Sequence, residues 1–184
     1  FYSSVLIFFL CLAPLDKSFA RSSGGNWLFN FDLSYIASKS ESVTSGTTSE
    51  SENNLTFYDI TLGYMIASNV MAGAILATKN TTDKGATVST STSSSATGAS
   101  LAYIFDNGIY LTGHYFLTAT DQEYKKGSGI GVDLGWRSFL SGSLFIGAKL
   151  AYRSLKYTEN LTISGFESQT NTTTLPYLSI GFSF

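Results

Sequence analysis

The feature that most restricts this chain is the two-residue alternation of residues 173 to 184, TTLPYLSIGFSF. Successive side chains of an extended strand point to opposite faces. Leu178, Ile180, Phe182 and Phe184 therefore share one face, and Tyr177, Ser179, Gly181 and Ser183 share the other. The strand is amphipathic, and its apolar side carries a terminal aromatic ring.

Seven further segments alternate in the same way or are short enough to be strands between turn signals. Residues 27 to 37 set Trp27, Phe29, Phe31, Leu33 and Tyr35 against Asn30, Asp32 and Ser34; residues 55 to 67 set Tyr58, Ile60, Leu62, Tyr64 and Ile66 against Asp59, Thr61 and Gly63. Residues 70 to 79 are rich in Ala and Gly and carry a weak parity. Residues 98 to 105 present Leu101, Tyr103 and Phe105, and residues 109 to 118 place Leu111, Tyr115 and Leu117 opposite Tyr110, Thr112, His114 and Phe116. Residues 129 to 138 set Ile130, Val132, Leu134 and Trp136 against Gly131, Asp133, Gly135 and Arg137. Residues 144 to 157 set Ile146, Ala148, Leu150 and Tyr152 against Gly147, Lys149, Ala151 and Arg153. The expected count is eight strands.

The connections alternate between short turns at 68 to 69, 106 to 108 and 139 to 143 and long polar loops at 38 to 54, 80 to 97, 119 to 128 and 158 to 172. Those long stretches are dominated by Ser, Thr and charged residues and offer little to a core. An even number of strands places both ends of the sheet on the short-turn side.

The pattern resembles the small bacterial outer-membrane β-barrels, such as the OmpX, OmpA-barrel and OmpW groups, whose last strand ends in phenylalanine behind alternating apolar positions. The resemblance implies an all-β, eight-stranded, antiparallel, up-and-down transmembrane barrel with long external loops and short periplasmic turns. It also implies that Leu178, Ile180, Phe182 and Phe184 form the signal read by the barrel-insertion machinery. The implied location is the outer membrane of a Gram-negative type cell, in contact with outer-membrane lipid and lipopolysaccharide.

Alternation alone does not say which face is outside, since a soluble barrel has its apolar face inward. The polar face is rich in small residues (Gly63, Gly131, Gly135, Gly147, Gly181), as a narrow lumen requires. Its charges nearly balance, Asp32, Asp59 and Asp133 against Arg137, Lys149 and Arg153, as they must where an unpaired charge costs several kcal/mol. The apolar face carries Trp27, Tyr35, Tyr58, Phe105, Tyr115, Trp136, Tyr152 and Phe184 toward strand ends, where aromatic girdles meet the membrane interfaces. Lipid on the outside is the expectation. A barrel of eight strands has room within for side chains and little more, so the lumen is expected to be a plug of paired charges.

Residues 5 to 12 form an apolar run too short to span a bilayer as a helix, followed by Ser18-Phe19-Ala20, which suits signal-peptidase cleavage before Arg21. Residues 1 to 20 are expected to be a signal peptide, here lacking Met and a basic start, and 21 to 184 a single barrel domain. The one cysteine, Cys11, lies in that run behind Leu10, which is too large for a lipidation site. Disulfides and cysteine metal sites are then excluded from the mature domain. The net charge of -2 and the absence of a basic cluster argue against nucleic acid as a partner.

His114 is the one histidine. A lipid A deacylase among eight-stranded barrels uses a His-x-Ser pair with a nearby carboxylate, but Phe116 stands where that serine would be. His114 is expected to be a satisfied lumen residue, and no cofactor is expected. The function anticipated is structural and surface-interacting, without enzymatic activity: adhesion, envelope integrity, or phage and host contact through an external ligand at the loops. A narrow porin-like channel or a carrier of small hydrophobic solutes is the alternative, and a lipid A-modifying enzyme the second.

Overall fold

In a computed structural model, described for residues 26 to 44, 47 to 84 and 89 to 184, every regular element is a β-strand. The strands are β1 (Trp27–Thr44), β2 (Thr47–Ala67), β3 (Val70–Lys84), β4 (Ser89–Ile104), β5 (Ile109–Asp121), β6 (Tyr124–Phe139), β7 (Leu144–Tyr157), the two-residue β8 (Glu159–Asn160) and β9 (Gln169–Ser183). The expected signal peptide and Cys11 lie outside the described residues.

From β1 to β7 each strand pairs antiparallel with the next, and β9 pairs with both β7 and β1, so eight strands close a ring. The small β8 pairs with the start of β6 beyond the ring. This is the up-and-down barrel expected. Closure is the physical requirement, because in hydrocarbon every backbone N–H and C=O must find its partner within the sheet.

The face assignment is that of a membrane barrel. Leu33, Leu62, Leu101, Leu111, Leu117, Leu134, Leu150 and Leu178 are all exposed, whereas Asp32, Asp59, Asp133, Arg137, Lys149 and Arg153 are buried. A charged interior wrapped in a continuous apolar exterior inverts the arrangement of a soluble barrel and is that of an outer-membrane barrel. Trp27 and Tyr35 are both exposed and lie eight residues apart on β1. At roughly 3.4 Å per residue and a strand tilt of about 40°, that spacing spans about 21 Å along the membrane normal, most of an apolar band of about 25 Å. Phe105, Tyr115, Tyr152 and Phe184 are likewise exposed, while Tyr58 and Trp136 are partly covered by neighbours.

The external connections differ from the expectation in form. The β1–β2 ladder continues to Thr44↔Thr47, β3–β4 to Lys84↔Ser89 and β5–β6 to Asp121↔Tyr124. Three of the four stretches read as long polar loops, 38 to 54, 80 to 97 and 119 to 128, are largely continuations of the barrel hairpins, while residues 161 to 168 of the fourth form no strand. A ladder is held by backbone hydrogen bonds, which need register and not a core, and β-branched Thr favours extended backbone. Side chains reinforce it: Thr97 and Thr118 hydroxyls are 2.7 Å apart, and Lys126 Nζ lies 2.7 Å from Glu159 Oε2. The Glu159 hydrogen bond raises the Lys126 pKa above the ordinary lysine value. The turn between Asp121 and Tyr124 holds Gln122 at φ 53°. The short turn at Asp106-Asn107-Gly108 behaves as its composition predicts, with Gly108 at φ 85°.

The barrel closes over a shorter length than expected. The β1–β9 ladder runs from the Trp27–Phe184 pair only to Leu33↔Leu178, not along the whole of residues 27 to 37. Trp27 and Phe184 exchange both backbone hydrogen bonds, at 2.7 and 2.9 Å. Even-numbered residues of β9 therefore aim their N–H at β1, since bonding direction alternates along a strand. The next such position is Pro176, opposite Tyr35, and proline has no N–H to give. Beyond it a seam opens between β1 and β9, and Ile36, of inward parity, is exposed there.

Candidate functional site: the lumen and its outer vestibule

The lumen is stacked in three layers. At the short-turn end, Leu28, Met65, Met71, Ala102, Ile104 and Phe145 form a buried apolar cluster, with Tyr110 and Phe139 packed against it. Glycines make this possible. A Cβ on Gly135 would strike the Tyr110 ring, and one on Gly181 the Phe145 ring.

The middle layer is an ion lock. Asp32 and Asp59 are direct cross-strand partners on β1 and β2, both turned inward. Lys149 Nζ, reaching from β7, lies 2.7 Å from Asp32 Oδ2, 2.9 Å from Asp59 Oδ2 and 2.9 Å from Asp133 Oδ2. Arg153 donates to Asp59 Oδ2 at 3.0 Å and to both oxygens of Asp133. Asp32 also accepts from Asn30 Nδ2 at 2.7 Å and from the Ser179 hydroxyl. His114 Nε2 stands 3.0 Å from Asp133 Oδ2, and its Nδ1 stands 2.8 Å from Ser100 Oγ. Every barrel strand except β3 contributes a side chain. Gly131, paired with His114 on one side and Arg153 on the other, leaves room for both; a Cβ there would lie 2.9 Å from Arg153 Cδ.

Six of the seven lumen residues expected from sequence thus meet in one network. Arg137 faces inward as expected but belongs to the apolar layer. Its guanidinium lies 5.2 Å from the Phe145 ring centre and 5.8 Å from that of Phe139, and its Nε and Nη2 have no hydrogen-bond partner among the described residues. Asn30, Ser100 and Ser179 were missed as lock members. Their inward parity was readable; the partners were not, because those lie up to 147 positions away in sequence.

Ser100, His114 and Asp133 bring together the three groups of a serine hydrolase, which sequence spacing did not suggest. Their surroundings tie them into the lock. Asp133 is also held by Arg153 and Lys149, Ser100 is buried, and the free space beside His114 amounts to about 40 Å³, which is water-sized and not acyl-sized. Among the described residues no group of His, Cys, Asp or Glu is placed to hold a metal ion.

Above the lock lies a vestibule of about 430 Å³. Asp59, Arg153, Phe116 and Tyr177 line its deep end, Ala77, Ala96, Leu155 and Leu175 its walls, and Lys79, Asp121 and Asn171 its rim. At the rim, Asp121 accepts from Asn171 Nδ2 at 3.2 Å and from the Ser94 hydroxyl, with Lys79 Nζ at 3.8 Å.

Leu178, Ile180, Phe182 and Phe184 all face outward and are exposed, at 74%, 44%, 46% and 69%. The apolar side of the closing strand is therefore a continuous lipid-facing stripe.

No family model matches the sequence, and no curated protein is significantly similar to it. Among solved structures the fold is similar to that of the outer membrane protein OprG from Pseudomonas aeruginosa, with a TM-score of 0.44 and 12% identity over 88% of this chain and 97% of that one. From its own closure, its apolar exterior and its charged lumen, the chain has the architecture of a small bacterial outer-membrane β-barrel.

Proposed function

We propose that this barrel serves a structural and surface-contact role, carried by the hairpins that project from the outer leaflet, with a lumen that does not conduct. The observation that supports this best is Lys149, whose ammonium group is bound by three carboxylates on three other strands. Opening a path there would separate desolvated charges, at a cost of several kcal/mol. The apolar layer of Leu28, Met65 and Met71 below it closes the barrel a second time. The β1–β2 hairpin extends past Tyr35 for residues 36 to 44, about 30 Å of strand. Adhesion, envelope integrity and phage or host contact are the roles such a surface serves. Outer-membrane lipid and lipopolysaccharide are the surroundings its aromatic exterior fits, and the exposed stripe from Leu178 to Phe184 suits recognition by the insertion machinery. The Ser100–His114–Asp133 arrangement belongs to the lock on this reading, and the protein is not an enzyme.

Planar-bilayer recording tests the sealed lumen: the native barrel gives no discrete conductance steps, and steady single-channel openings would overturn the reading. Orientation is tested on intact cells. Ser93→Cys on β4 reacts with an impermeant maleimide, whereas Ser141→Cys in a short turn reacts only after permeabilisation. The reverse pattern would put the hairpins on the wrong side.

A further inference from the structure

We propose that the vestibule above the ion lock is a binding site for a small, uncharged amphiphile that carries a carbonyl-type hydrogen-bond acceptor. Its volume of about 430 Å³ falls within the range of small-molecule pockets. Apolar side chains of Leu155, Leu175, Ala77 and Ala96, with the Phe116 and Tyr177 rings, give the ligand a surface to bury.

The charges select against ions. The cavity is lined by two acids, Asp59 and Asp121, and two bases, Lys79 and Arg153, and each is already partnered. An anion would approach Asp59 and Asp121, and a cation Lys79 and Arg153, with no unpaired countercharge to offset its desolvation. Among the charged groups of the lining, one donor is left over. Arg153 Nε is buried without a hydrogen-bond partner among the described residues, although both terminal nitrogens of the same guanidinium are bound. A buried donor without an acceptor is costly, and a ligand carbonyl that draws the Arg153 side chain toward the vestibule would satisfy it without adding charge. The ligand would stop at the lock, since Arg153 and Asp59 close the way down. This binding role goes beyond the surface-contact reading and stands on different residues from the projecting hairpins.

The test uses the intact barrel in lipid nanodiscs and an isosteric series: benzamide, benzoate and benzamidinium. Methyl NMR signals of Leu155, Leu175 and Ala151 report the vestibule, and those of Met65 and Met71 report the layer below the lock. Benzamide is expected to shift the first group saturably and leave the second unmoved. The two charged analogues are expected to bind about tenfold or more weakly, the effect of one charge left without a partner. Thr173→Trp, which fills the space beside its cross-strand partner Arg153, or Ala77→Phe on the other wall, is expected to abolish the shifts while heat-modifiable migration is retained. The proposal fails if benzamide gives no saturable shift, if the charged analogues bind equally well, if Met65 and Met71 respond alike, or if a folded filled variant still binds. Should both filled variants fail to fold, the native barrel with the three probes decides the matter alone.

Discussion

Asp32 and Asp59 face each other directly across the β1–β2 ladder, both fully buried, with the ammonium of Lys149 bonded to each at 2.7 and 2.9 Å. Like charges directly opposite on neighbouring strands destabilise a sheet. This pair is tolerable only because the cation reaches it from β7, across the lumen. The hairpin formed first in sequence is thus electrostatically incomplete until β7 is in place.

Replacing that cation should expose the repulsion. Lys149→Met leaves Asp32 without a cation and Asp59 and Asp133 sharing Arg153, and breaking a buried ion cluster by removing one partner costs about 3–5 kcal/mol. Urea unfolding followed by gel mobility should show this loss, and adding Asp32→Asn should recover part of it. An unchanged midpoint in the single variant would mean that the lock does not hold the barrel.

The two lumen arginines should behave oppositely. Arg153→Met strips Asp59 and Asp133 of a shared partner and should destabilise by about 3 kcal/mol or more. Arg137 has ring contacts but no carboxylate partner among the described residues. Arg137→Met should leave the midpoint unchanged or raise it, since an apolar side chain of similar length suits that layer. Equal losses in both variants would show that Arg137 also belongs to the lock.

Gly135 is required by the ring of Tyr110, which occupies the space of its absent side chain. Gly135→Ala should cost about 1–3 kcal/mol through overpacking. Tyr110→Leu in the same chain should relieve much of that cost, and a double-mutant cycle with no coupling would reject the contact.

Pro176 should set the length of the closing seam. Pro176→Thr restores an N–H aimed at Tyr35, so the β1–β9 ladder can extend past Leu33↔Leu178. The new N–H donates to the Tyr35 carbonyl, and closing that pair should slow exchange of the Tyr35 N–H, which faces the residue 176 carbonyl, by about tenfold. Unaltered exchange would place the cause of the seam elsewhere.

Much of this architecture was legible in the chain. The parity of Trp27 to Tyr35 and of Tyr177 to Phe184 assigned inside and outside correctly, because strand alternation is a local property of the backbone. Gly131 and Gly135 marked a crowded interior for the same reason. The inward apolar residues Leu28, Met65 and Phe145 lie on the predicted polar face, and the expectation of a wholly ionic plug passed over them. The pairing within the polar stretches 38 to 54, 80 to 97 and 119 to 128 is not legible in sequence, because backbone pairing needs no core pattern.

Sequence by itself determined that the chain forms amphipathic strands in hairpins, with charges on the face away from lipid. Tertiary structure alone decided which charges meet, since Lys149 and Asp32 lie 117 positions apart and are brought together by barrel closure. It alone separated Arg137 from Arg153, two arginines of identical parity on neighbouring strands. It also gave Pro176 its meaning. A missing N–H matters only once the direction of its strand's hydrogen bonds is fixed, and that direction is set by a partner strand at the other end of the chain.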